Sequence, residues 1–139
     1  MQIKEIMSTD LAGLDAKLNI VDAAKRMAKG DIGALIIVDG KNVIGMATDR
    51  DLVTRVLAEG KDPEQTTIRD VMTGNPVTCR PDESVEEAGQ RMKERKVRRL
   101  IVQDEQGTPV GMVSIGDLAA RAGREGLTGE AMREIVEAD

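Results

Sequence analysis

Two short stretches carry the residue types and spacing that could do chemistry: Gly45-Met46-Ala47-Thr48-Asp49-Arg50-Asp51 and Gly111-Met112-Val113-Ser114-Ile115-Gly116-Asp117. Each ends an apolar run on a hydroxyl residue and places a carboxylate three positions later, with a helical pattern following from Leu52 and from Leu118. Ser or Thr immediately before a helix caps free amides, and those amides, with the helix dipole, also favour a bound phosphate. An Asp one turn in can accept hydrogen bonds from both hydroxyls of a ribose, as the acidic residue of a dinucleotide fold does. The same Ser/Thr-x-x-Asp spacing is also close to a capping box, in which the carboxylate satisfies the amide of the cap residue. A single copy would favour the cap. Two copies in corresponding places strengthen the case for a shared function.

The elements that must position these stretches form an internal repeat. Ile3-Lys4-Glu5-Ile6-Met7 returns 65 residues later as Ile68-Arg69-Asp70-Val71-Met72. Ala23, Arg26 and Met27 return as Ala88, Arg91 and Met92, and Leu35-Ile36 and Asp39 as Leu100-Ile101 and Asp104. Gly45-Met46 returns as Gly111-Met112, 66 residues later, so the second hairpin turn is one residue longer. The chain therefore reads as repeat 1 over residues 1–62, repeat 2 over residues 63–123, and a tail over residues 124–139.

Within repeat 1, Gly13-Leu14 suggests a short strand. Asn19 can cap a helix carrying Ile20, Ala23, Ala24 and Met27 on one face, which Gly30 ends. Ala34 to Val38 is a continuous apolar run suited to a strand covered on both faces, and Val43 to Ala47 returns as its hairpin partner. Thr48 caps the next helix, with Leu52, Val53, Val56 and Leu57 apolar. Repeat 2 follows the same plan. Pro76 to Cys79 enters as a strand, Ser84-Val85-Glu86-Glu87 reads as a capping box, Arg99 to Val102 and Pro109 to Val113 form the hairpin, and Ser114 caps a final helix. In the tail, Thr128 to Ala138 has a helical pattern.

Taken together, Ile-x-x-Ile/Val-Met, the helix with Ala23 to Met27, the strand Leu35-Ile36-Ile37-Val38 and Gly-x-x-Thr/Ser-x-x-Asp, in that order and twice, resemble CBS domains. The pair resembles a Bateman module, similar to small bacterial proteins made of a CBS pair and little else. The resemblance implies an α/β fold of two tandem CBS repeats, each a small sheet with two helices, related by a pseudo-twofold axis. It also implies regulatory binding of an adenosine-containing ligand, AMP, ADP, ATP or S-adenosylmethionine, with no catalysis and no required cofactor.

On that resemblance the ligand residues would be Thr48, Asp49, Arg50 and Asp51 in the first motif and Ser114, Ile115, Gly116 and Asp117 in the second. Thr48 and Ser114, with their helix amides, would hold phosphate, and Asp51 and Asp117 ribose hydroxyls. Val77, Thr78, Met112 and Met46 would frame an adenine, with backbone near Val77 and Thr78 reading its edge. Arg98 and Arg99 would supply positive charge at the start of the second strand, where repeat 1 has Gly33-Ala34. In the family both repeats contribute to each cleft. For any one of Met46, Met112 and Val77 alone, core filler is the favoured reading.

Composition limits the alternatives. The chain has 139 residues, 32% charged and 40% hydrophobic, which describes a soluble globular class. Each repeat is too small to be secure alone. A net charge of −5 argues against a duplex nucleic-acid binder. The Arg91 to Arg99 run would be the place for single-stranded nucleic acid, but there is no Phe, Tyr or Trp on which bases could stack. Most of that run reads as a solvated helix end. With no His and one Cys, zinc and haem have almost no ligands, and a nucleophile–base pair would need Ser or Thr with Lys or a carboxylate; no constellation for catalysis is evident. Cys79 reads as a small core residue in a reducing compartment. No leader or membrane span is evident, so the cytoplasm is the expected location.

A homodimer is expected from the apolar helix faces Ile20/Ala23/Met27, Val85/Ala88/Met92, Leu52/Val56 and Leu118/Ala122, which are more than one small module should cover. The regulated protein partner is not named by the sequence. The rival to a ligand sensor is a ligand-free assembly domain, in which Asp51 and Asp117 are caps alone.

Overall fold

The computed structural model describes residues 1–121. Ala122, Gly123 and the tail at 124–139, with its expected helix, lie outside the described residues. The chain forms two compact units. Unit I is Ala12–Pro76, and unit II is Met1–Leu11 together with Val77 onward.

Unit I contains β1 (Gly13–Asp15), α1 (Ile20–Gly30), β2 (Ala34–Asp39), β3 (Asn42–Thr48), α2 (Asp49–Leu52) continuing as a π-helical turn at Val53–Leu57, α3 (Ile68–Val71) and β4 (Thr73–Gly74). Its sheet runs β1-β2-β3-β4, with β1 parallel to β2 and the other pairs antiparallel. Unit II begins with a 3-10 turn at Ile3–Glu5. It then has β5 (Thr78–Cys79), α4 (Val85–Arg95), β6 (Arg99–Gln103), β7 (Pro109–Ser114) and α5 (Ile115–Arg121). Its sheet runs β5-β6-β7 in the same sense, and Ser8 bridges to Met112 where unit I has β4.

The units cut across the sequence repeats. The opening motif Ile3 to Met7 packs in unit II, with Ile3 fully buried beside Val85, Leu100 and Val113. Its twin Ile68 to Met72 packs in unit I, with Ile68 beside Leu14, Leu35 and Val56. Each repeat therefore closes the sheet that the other repeat's hairpin begins. The Ile3 amide donates to the Glu83 carbonyl, and the Ser8 and Met112 backbones exchange two bonds of 2.9 Å. In unit I, Arg55 Nη1 donates to the carbonyls of Val71 (2.9 Å) and Met72 (3.3 Å) and fastens the twin motif.

Both units build their cores from aliphatic and Met side chains on the helix-facing side of the sheet. Leu35 and Ile37 of β2 and Leu100 and Val102 of β6 lie in these cores, and strand alternation sends Ile36 and Ile101 to the other face. The helix faces expected to drive dimerisation are already used inside the units. Ile20, Ala23, Met27, Leu52 and Val56 are buried in the unit I core, and Val85, Ala88, Met92 and Leu118 in that of unit II. The apolar-face argument for a homodimer therefore does not stand as made. The large apolar side chains that the α2 helix and its π-helical turn show to solvent are Val53 and Leu57, 54% and 69% exposed.

Three local features depart from the sequence reading. α1 ends at Gly30 as expected, but the left-handed residue that caps it is Asp31 (φ 49), and Lys96 (φ 56) takes the same place after α4. Ser84 caps α4 through one bond from the Glu87 amide (3.1 Å), while at the 3-10 turn the Gln2 amide donates to Glu5 Oε2 (2.6 Å). The helix after Thr48 widens into a π-helical turn. Thr54 Oγ1 takes the Arg50 carbonyl (2.8 Å), so the side chain competes for a backbone acceptor just where the ladder shifts.

Candidate functional site

Both Thr/Ser-x-x-Asp stretches fold as reciprocal capping boxes. In unit I the Thr48 amide donates to Asp51 Oδ2 (2.8 Å) and the Asp51 amide to Thr48 Oγ1 (3.2 Å). In unit II the Ser114 amide donates to Asp117 Oδ2 (2.8 Å) and the Asp117 amide to Ser114 Oγ (3.1 Å). Asp51 Oδ1 also lies 3.8 Å from Arg55 Nε. The boxes orient both carboxylates without exhausting them, because an ionised carboxylate offers about four lone-pair sites.

The helix amides are less available than the phosphate reading requires. The Asp49 amide donates to the Gly33 carbonyl (3.0 Å) and the Arg50 amide to Asp49 Oδ1 (2.8 Å), so the first three amides of α2 are all engaged. In α5 the Ile115 amide donates to the Arg98 carbonyl (2.9 Å). A phosphate at the Thr48 motif would have to rely on the hydroxyl and on cationic side chains rather than on a cradle of amides.

The sheet register decides which candidates share a face. In unit II, Thr78 pairs with Ile101, Ile101 with Met112, and Arg99 with Ser114. Cross-strand partners project to the same side, as do every second residue along a strand. Thr78, Met112, Arg99 and Ser114 thus lie on one face around Ile101, the face opposite the core, and all four are half-buried. Ser8, bridged to Met112, joins them. The corresponding positions of unit I are Gly13, Met46, Ala34, Thr48 and Thr73 around Ile36. Arg99 is therefore set beside the Ser114 motif of its own unit, and its counterpart beside Thr48 is an alanine.

The remaining candidates separate. Arg98 is half-buried, with its Nε shielded from solvent, and Ile115 is half-buried at the start of α5. Asp49, Arg50 and Gly116 are exposed. Val77 packs against the unit II core, and its carbonyl accepts from the Ile101 amide (3.1 Å). The Thr78 carbonyl accepts from Arg91 Nη1 (2.9 Å). These two carbonyls, expected to read a base edge, already have internal donors. Lys93, Glu94, Arg95 and Lys96 are exposed, as a solvated helix end should be.

Three contributors escaped the sequence reading. Ser8 and Thr73 follow the Met of each opening motif, a repeated hydroxyl that could have been noticed, although its placement required the crossing of the repeats. Arg91 was grouped with the solvated run, yet it grips Glu83 with two bonds (2.7 and 3.1 Å). The Arg91 guanidinium holds the Glu83 carboxyl below the usual carboxylate range, and Glu83 in turn raises Arg91. Burial, with the Glu83 charge nearby, pushes the Cys79 thiol up to about 12, consistent with an unreactive core residue.

Comparisons with known proteins agree with this architecture. The chain matches the CBS domain family over residues 3–58 and again over residues 68–123. It is 35% identical over 133 residues to the CBS domain-containing protein YhcV of Bacillus subtilis, covering 96% of this chain and 94% of that protein. A putative signal-transduction protein with CBS domains from Burkholderia ambifaria is 28% identical with a TM-score of 0.82, covering 92% of this chain and 98% of that one. The CBS domain pair of protein MJ0100, in complex with 5′-methylthioadenosine and S-adenosyl-L-methionine, is 28% identical with a TM-score of 0.79, covering 91% of this chain and 98% of that one. Among the described residues no helix is long and apolar enough to cross a membrane. With the repeated fold, the paired motifs and both family matches in agreement, the chain belongs to the CBS domain family, as a tandem CBS pair of the regulatory kind.

Proposed function

We propose that this CBS pair is a non-catalytic sensor in the cytoplasm that binds an adenosine-containing ligand, AMP, ADP, ATP or S-adenosylmethionine, and passes its occupancy to a protein partner. The observation that carries the reading is the unit II face, where Arg99, Ser114, Met112 and Thr78 surround Ile101 with Asp117 one turn into the adjoining helix. A Met and a Thr provide flat packing and a hydroxyl for a base, Asp117 a second acceptor for a ribose, and Arg99 the charge that a phosphate or carboxylate needs. The adenosyl ligands of the similar MJ0100 pair support the same class.

The ligand class is tested on the purified chain. Lacking Trp and Tyr, the protein absorbs little near 280 nm, so a retained adenine is expected to dominate its near-ultraviolet spectrum and to appear in the supernatant after heat denaturation. Calorimetry with AMP, ADP, ATP, NAD and S-adenosylmethionine is expected to show at least one binder below millimolar. If the supernatant is empty and every titration is silent to millimolar, the assembly reading replaces this one. The exposed Val53 and Leu57 are the observation that favours that alternative.

Asp117 separates ligand from cap. Asp117→Asn keeps an oxygen for the Ser114 amide, and Asp117→Ala removes it, so the cap role predicts about 1 kcal/mol lost in the Ala variant and no change in affinity. The ligand role predicts that Asn already weakens binding by about ten- to a hundredfold, because hydrogen bonds to a charged acceptor contribute roughly 1.5–3 kcal/mol. Asp51→Asn is expected to have the smaller effect on a phosphate-bearing ligand, since Ala34 stands where unit II has Arg99. Titration of both Asn variants by calorimetry checks the ranking, and equal losses would contradict it.

A further inference from the structure

We infer that Arg91, paired with Glu83, is a positioning residue for the unit II ligand face: it holds β5, and with it Thr78, against β6. The inference deepens the adenosyl-ligand reading and rests on it for the ligand half of its test.

β5 needs such a tie. It is a parallel edge strand of two residues, with register pairs only at Thr78–Ile101 and Cys79–Val102. Parallel pairs are slightly weaker per residue than antiparallel ones, and strands this short contribute few ladder bonds. Its counterpart β1 has three register pairs. Flanking bonds of 2.9 Å, from the Ile36 amide to the Ala12 carbonyl and from the Ala16 amide to the Val38 carbonyl, extend that ladder; β5 keeps the counterpart of the first, from the Ile101 amide to the Val77 carbonyl (3.1 Å), but Pro81, which has no amide, stands where Ala16 supplies the second. What β1 gains from length, β5 gains from a side chain.

Arg91 Nη1 donates both to the Thr78 carbonyl (2.9 Å) and to Glu83 Oε2 (2.7 Å), and Nη2 donates to Glu83 Oε1 (3.1 Å). The guanidinium thus links α4 to both ends of the segment that carries β5. The two side chains are 32% and 21% exposed, so the pair is shielded well enough to outrank an ordinary surface ion pair. At the corresponding places unit I has Arg26, which is exposed, and Leu18, 40% exposed, so this pairing belongs to unit II alone.

Cys79, the chain's one cysteine, is the natural reporter, because it lies in β5 next to Thr78 and is 3% exposed. A thiol reagent applied to the full chain reads how often β5 opens. Arg91→Lys keeps the charge but loses the fork, and Glu83→Gln keeps the shape but loses the charge. Both variants are expected to fold by far-ultraviolet circular dichroism and to modify Cys79 about tenfold faster or more. The rate is expected to be nearly flat in low urea, as local opening exposes little surface. In the same variants the affinity for AMP and for S-adenosylmethionine, whichever binds the parent through Asp117, is expected to fall about tenfold, and that compound is expected to slow Cys79 modification in the parent.

Unchanged modification rates in both variants, or rates that rise with urea as steeply as global unfolding, overturn the inference. Faster modification with unaltered affinity also overturns it, reducing Arg91 to a structural staple. If the parent binds none of AMP, ADP, ATP, NAD and S-adenosylmethionine, the adenosyl reading fails, and the modification rates still decide whether Arg91 holds β5.

Discussion

Ile3→Ala is expected to destabilise unit II by about 2–5 kcal/mol, although Ile3 opens repeat 1 in the chain. Ile3 is fully buried among Val85, Ala88, Leu100 and Val113, and its truncation leaves a cavity that a close-packed aliphatic core fills only in part. Native-state hydrogen exchange locates the loss. Amides of Ala88 to Met92 and of Leu100 to Val102 should lose protection first, while those of Leu35 to Ile37, far closer to Ile3 in sequence, should hold. Ile68→Ala is the mirror experiment and should loosen Leu35 to Ile37 instead, since Ile68 packs with Leu14, Leu35 and Val56. Loss of protection in the repeat adjacent in sequence, for either variant, would contradict the crossing of the opening motifs.

Gly45→Ala should cost about 1–3 kcal/mol, toward the upper end. A Cβ at Gly45 would stand 2.7 Å from the Thr73 carbonyl oxygen and clash with Met72 Sδ. The carbonyl belongs to β4, which is laddered to β3 at Gly45–Gly74 and Met46–Thr73, so it cannot yield without breaking the sheet edge. Gly111→Ala should cost less. Its nearest backbone atom, the Ser8 carbonyl oxygen, would lie at 3.0 Å, and the closer obstacle is the flexible end of Met7. Gly74→Ala meets nothing nearer than 3.9 Å and serves as the control. Urea unfolding followed by circular dichroism gives the ranking, aromatic fluorescence being absent. A Gly111 variant less stable than the Gly45 variant would show that Met7 is as rigid as β4.

The strands and helices were legible because they depend on near neighbours. Asn19 before Ile20, the apolar run at Ala34 and the hydroxyl-x-x-Asp stretches each state a local preference, and the repeat states each of them twice. The capping boxes at Thr48 and Ser114 were equally local, formed by groups three residues apart. The repeat also identified the family, since four motifs in order, twice, leave little room for another fold.

What only the tertiary structure decided depends on distant pairings. The crossing of Ile3 to Met7 and Ile68 to Met72 is invisible in a sequence where both motifs read alike, because either hairpin offers the same aliphatic surface. The helix faces looked too apolar for one module, since counting apolar positions cannot tell a core packed within a unit from one awaiting a second chain. Register placed Arg99 opposite Ser114, a relation fixed by the hairpin of β6 and β7 and not by the spacing of 15 residues between them. Arg91 lay in a run of charges that its helix exposes almost everywhere else. Its grip on Glu83 and the Thr78 carbonyl follows from how α4 lies over a short edge strand, and no local preference encodes that contact.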